Sequence, residues 1–119
     1  MDKIGEFFLT LLHAATNTHI LHLQTTSYAE HVALGEFYTE LPELVDTVIE
    51  SIQGRYGQII QYPQDYFVPS NSGLEELEAL KTYVEQNRQF LPQDSEIQND
   101  VDQIASLINS TLYKLRFLK

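Results

Sequence analysis

Apolar positions recur at helical spacing along almost the whole chain. From about Asp2 to Gln24, Ile4, Phe8, Leu11 and Ala15 mark one face. Phe7, Leu12, Ile20 and Leu23 widen it, which predicts a mostly buried first helix. Thr25 and Thr26 make a short connection, and Ser27 with Glu30 fits the capping-box pattern that starts a second helix. That helix is expected to run to about Gln53, with Gly54 ending it and Val32, Phe37, Leu41, Leu44, Val48 and Ile52 facing inward. Pro42 predicts a lost hydrogen bond and a kink near Tyr38, with a true break as the alternative. Arg55 to Asn71 is the least regular stretch, and its Tyr56, Tyr62, Tyr66 and Phe67 predict a loop packed on the body. Ser72 with Glu75 is a second capping box, opening a third helix to about Phe90. Leu74, Leu77, Leu80 and Val84 should face inward there, and Glu76, Lys81, Glu85 and Arg88 outward. Beyond Pro92 a fourth helix is expected from about Ser95 to Leu118, with Ile97, Val101, Ile104, Leu107, Ile108, Leu112 and Leu115 as its stripe. Four amphipathic helices with two short connections and one long one predict an all-α, antiparallel four-helix bundle, forming one domain over residues 1–119.

Composition narrows the chemistry. Apolar residues at 43% argue against disorder. The absence of cysteine removes disulfides, thiolate zinc sites and cysteine nucleophiles together. A net charge of −10 disfavours binding to nucleic acid, and the only basic cluster, Lys114, Arg116 and Lys119, suits the C-terminal end of a helix dipole. The first residues do not read as a signal peptide, and no apolar run is long enough to predict a membrane span. A cytoplasmic location and no membrane partner are therefore expected.

Against this background the histidines and two acids stand out. His19 and His22 share one face of the first helix, while His31 opens the second, on which Asp46 and Glu50 share a face. Imidazole and carboxylate are the ligand set of iron, manganese or zinc. A single such histidine is ordinarily a hydrogen-bonded packing residue, and His13, off the face, is expected to be structural. Taking His31 as zero, Gly35 lies at about 40°, Asp46 at about 60° and Glu50 at about 100° around the helix. Along the axis, however, His31 and Asp46 are about 22 Å apart. The two ends of the stripe can meet only if a second copy packs antiparallel across a two-fold, giving two equivalent sites.

The segment His22-Leu23-Gln24, then Ser27-Tyr28-Ala29-Glu30-His31, then Asp46-Thr47-Val48-Ile49-Glu50 resembles the Dps miniferritins of the ferritin-like superfamily. Together with Gln53 to Gly57 and the closing Thr111 to Leu118, it also resembles small ferritin-like proteins of tailed phages, a group with no settled function. The Dps resemblance implies a di-iron ferroxidase site between two-fold-related subunits. This chain departs from it at Gly35, where Dps has an aspartate, which favours one metal or a vestigial site. His22 matches the local context of the family's first histidine, whereas His19 matches its spacing, so His22 is preferred with His19 as neighbour or second ligand. The Dps lysine-rich tail is missing, which disfavours DNA protection.

The expectation is thus a ferritin-like metal-binding protein that forms at least a two-fold dimer, in the host cytoplasm if phage-encoded. Its metal residues would be His19, His22, His31, Asp46 and Glu50, with iron foremost and zinc or manganese as alternatives. Its rival is a non-enzymatic phage accessory or host-interaction protein that keeps the fold and has lost the chemistry.

Overall fold

The computed structural model describes residues 2–119. Among these the chain is all-helical, with α1 (Asp2–Gln24), α2 (Tyr28–Tyr56), α3 (Gly73–Asn87) and α4 (Ser95–Phe117). A 3₁₀ turn, Arg88–Phe90, follows α3. The helices form a bundle in which α1 and α4 each pack on both α2 and α3.

The boundaries follow from capping chemistry. The Ser27 hydroxyl accepts from the Glu30 N–H and the Ser72 hydroxyl from the Glu75 N–H, so both expected helix starts are present. The reciprocal half of the first capping box is replaced: the Ser27 N–H donates to the Thr25 hydroxyl instead. Helix α2 continues past Gly54 and ends at Gly57, whose φ of 67° is left-handed and whose N–H returns to the Gln53 carbonyl. Gly57, not Gly54, makes the reversal that ends the helix. Pro42 lies inside unbroken helix.

The core is a continuous aliphatic and phenylalanine cluster running through all four helices. Phe7, Phe8, Leu11, Phe37, Leu41 and Ile104 are fully buried, each contributing about 1.5–3 kcal/mol by leaving water. Thr18 and Thr111 are also buried, and each hydroxyl donates to the carbonyl four residues earlier, at 2.7 and 2.8 Å. Four expected orientations are reversed: Ile20 and Leu23, expected to widen the buried face of α1, are exposed near its end, and Val32 and Glu76 also differ. Val32 is exposed, its inward place taken by Ala33 and Leu34. Glu76 is buried, because its carboxylate accepts the Ser70 N–H at 2.9 Å where the crossover enters α3.

Residues 58–72 run along α1. A methyl group at Gly5 would overlap the Gln61 carbonyl, Phe67 sits edge-on to His13 at 5.1 Å, and the Asn17 amide donates to the Phe67 carbonyl. Ile60 is buried and Phe67 partly so, but Tyr62 and Tyr66 point outward, so the loop is anchored by two side chains rather than by all its aromatics. At the ends of α4, Asp94 meets Arg55 and Tyr56 near the end of α2, while Lys114 pairs with Glu36 near its start at 2.8 Å.

Candidate functional site

The α1–α2 hairpin brings three of the five expected metal residues together. The His22 ring lies against α2 at Gly35, where an added Cβ would stand 3.0 Å from Cε1. Its Nδ1 is 2.6 Å from the His31 carbonyl oxygen, and the His31 Nδ1 is 2.8 Å from the His22 carbonyl oxygen. A carbonyl only accepts, so both Nδ1 atoms carry a proton, and in the neutral form of each ring the lone pair is on Nε2. The His31 bond also serves α1: the Thr25 N–H closes on Leu21, and the next carbonyl, His22, receives the imidazole.

The two rings stack with centroids 3.8 Å apart and planes 16° from parallel. His19 is exposed and stacks on Tyr38 at 4.0 Å, and Tyr38 lies 5.2 Å from His22. The rings form a band along the hairpin, ending at Tyr28, 6.4 Å beyond His31. A shallow groove beside them is lined by His22, His31, Val32, Gly35, Glu36 and Glu40.

Asp46 and Glu50 are elsewhere, exposed on the distal half of α2. Asp46 lies near Tyr62, where its charge adds to the burial that raises the phenol's pKa. Among the described residues no three His, Asp or Glu side chains gather as a metal site. Within one chain, therefore, the histidine end and the acidic end of the stripe stay apart.

Gly35 has a positive structural role. A β-carbon here would stand 3.0 Å from Cε1 and 3.2 Å from Nδ1 of His22, tight enough that the ring would have to give by a few tenths of an ångström, so the glycine eases the close approach of His22. His13 sits beneath the crossover with its buried Nδ1 lacking a hydrogen-bond partner among the described residues. Asp102 pairs with Arg88 at 2.7 Å, and Arg116 with Glu78 at 2.9 Å. The mutual capping of His22 and His31 was not anticipated from sequence; the only local signal is their position on either side of a very short connection.

The chain belongs to the family of unknown function DUF5856, which matches residues 22–115. Over 115 residues it is also 26% identical to an uncharacterised 14.6 kDa protein of Enterobacteria phage T4 from the mobD-ri intergenic region. That alignment covers 96% of this chain and 88% of the phage protein. No solved structure gives a significant match. Among the described residues no helix is long and apolar enough to cross a membrane.

Proposed function

We propose that this chain is a ferritin-like bundle that binds a divalent metal, iron foremost, at a site completed by a second copy. The carrying observation is the pair of Nδ1–H donations from His22 and His31 to backbone carbonyls. Metal-binding histidines characteristically donate the other ring nitrogen in this way, which fixes the tautomer and frees Nε2. The connectivity is also supportive. A long crossover between α2 and α3, with α4 meeting the end of α2 at Asp94 and its start at Lys114, fits an antiparallel ferritin-like order.

The donors fit such a metal only in part. A bound ion lies near the plane of each imidazole, about 2.0–2.1 Å from nitrogen for zinc. Two nearly parallel rings stacked at 3.8 Å share no such point, so His22 and His31 as placed cannot chelate one ion together. Each Nε2 would instead need oxygen ligands from outside the chain, and Asp46 and Glu50 of a two-fold mate are the proposed source. With Gly35 in place of a carboxylate, the proposal is metal binding; ferroxidase activity would be an additional property.

Mixing two defective proteins tests this. His22→Ala/His31→Ala and Asp46→Ala/Glu50→Ala should each lose stoichiometric metal binding. Subunit exchange between them should restore about half a site per dimer, as statistical mixing of a two-fold dimer requires. Confirmed exchange with no returning site would reject the shared site.

One observation favours a second possibility, a non-enzymatic phage accessory protein. Both Nδ1 protons and both ring faces of the histidine pair are already used in holding the hairpin closed, which is a sufficient structural role. Wild-type protein that takes up no iron, manganese or zinc would select it.

A further inference from the structure

At the opposite end of the bundle is a second concavity. We propose that this cavity, between the start of α1, the end of α2 and the α3–α4 turn, binds a medium-chain aliphatic carboxylate. It measures about 310 Å³, at the lower end of the range of small-molecule sites, about 300–1,000 Å³. Ile4, Ile52, Tyr56, Phe90, Leu91 and Pro92 line it, with Gln58 as the one amide side chain among them. Ile52 and Leu91 are buried and form its depth, while the rings of Tyr56 and Phe90 are exposed at its sides. Such a wall suits an apolar tail and offers few partners to a polar one.

The mouth selects the sign of the head group. The Lys3 ammonium sits 5.0 Å from the Phe90 ring centroid, and the Arg55 guanidinium sits 5.0 Å from that of Tyr56. Only seven Lys and Arg residues are present in a chain of net charge −10, and two of them stand over the two aromatic walls of one cavity. A cation resting on a ring face keeps its N–H groups available to an anion. Two acids stand near this rim: Asp94 is already engaged, accepting the Tyr56 hydroxyl at 2.5 Å and pairing with Arg55 at 3.4 Å, and Glu96 is near enough for its charge to act on the Tyr56 phenol. Negative charge elsewhere on the chain is screened over about 8–10 Å at ordinary ionic strength, which leaves Lys3 and Arg55 over the two rings as the groups that can meet an anion at the mouth. A single apolar tail ending in one negative charge matches both halves of the site, and a carboxylate gives planar acceptors for Lys3 and the free part of the Arg55 fork.

The test uses the full chain labelled at isoleucine methyls and titrated with octanoate, octanamide and acetate. Octanoate should shift the Ile4 and Ile52 methyl signals saturably and leave that of Ile108 in place. Octanamide, of the same shape without charge, should bind about tenfold more weakly, and acetate should move neither signal. Lys3→Gln/Arg55→Gln should reduce octanoate binding to the octanamide level without changing octanamide binding. Added salt should weaken octanoate binding alone. Equal binding of octanoate and octanamide, or octanoate binding untouched by the double substitution and by salt, would overturn the carboxylate assignment. Shifts that never saturate at millimolar octanoate, or that spread to Ile108, would overturn the site.

Discussion

His22 and His31 cap each other: each imidazole donates its Nδ1 proton to the other's backbone carbonyl while the two rings stack at 3.8 Å. The side chain that binds α2 thus comes from the last turn of α1, and the reverse. One short hairpin is closed twice.

If this reciprocity holds the hairpin, the two residues are energetically coupled. Each single change to Ala should cost about 0.5–1.5 kcal/mol for its hydrogen bond. The double change should cost less than the sum of the singles, with a coupling of at least about 0.5 kcal/mol. Urea unfolding of the four proteins of this cycle, in chelator, measures it; strict additivity would show that the stack and bonds do not cooperate.

Two glycines of α2 should behave oppositely. Gly54 is helical with open space at its Cβ position, so Gly54→Ala should stabilise by about 0.5–1 kcal/mol through helix propensity. At Gly35 the new methyl would press on the His22 ring, which its hydrogen bond and its stack on His31 hold in place. Gly35→Ala should therefore fail to stabilise. A thermal unfolding comparison decides it, and equal gains at both sites would show that His22 moves freely.

The crossover depends on another glycine. Because a methyl at Gly5 would overlap the Gln61 carbonyl, Gly5→Ala should lift residues 58–72 from α1. Limited proteolysis should then cut near the exposed Tyr62 and Tyr66 much faster than in the wild type. Unchanged cleavage would mean that the loop is held elsewhere, with Ile60 and Phe67 sufficient.

At the other end, the hydrogen bond from the Tyr56 hydroxyl holds the Asp94 carboxyl below the usual carboxylate range, and the same bond raises the Tyr56 phenol. A depressed acid stabilises the fold above its unfolded pKa, and this is lost as pH falls through its folded value. A raised phenol stabilises below its unfolded pKa, and this is lost as pH rises through its folded value. Tyr56→Phe should move the Asp94 carboxyl titration, followed by NMR, upward toward the ordinary range. An unmoved titration would assign the depression to Arg55 and the backbone instead.

Helix existence was legible in the sequence because it depends on local terms. Ser27 and Ser72 cap as their spacing predicts, and Leu77, Val101, Ile104 and Leu112 are buried as their 3.6-residue period requires. The glycine that ends α2 lies three residues beyond the expected one, since Gly54 and Gly57 are alike in sequence and only the returning N–H to Gln53 distinguishes them. Ile20, Leu23, Val32 and Glu76 lie opposite to what periodicity predicts, because neighbours distant in sequence or at a loop junction decide which side of a helix is covered. The histidines were visible as a candidate group, and their angular placement together with the roughly 22 Å separation of His31 from Asp46 followed from helix geometry alone. What they do to one another did not: which ring nitrogen carries the proton, that Gly35 makes room for His22, and that Lys3 lies over Phe90 all depend on how the helices pack. Sequence by itself set the helices and their apolar faces, through short-range hydrogen bonding and periodicity. Only the tertiary structure decided the pairing of side chains, because that requires groups far apart in the chain to be close in space.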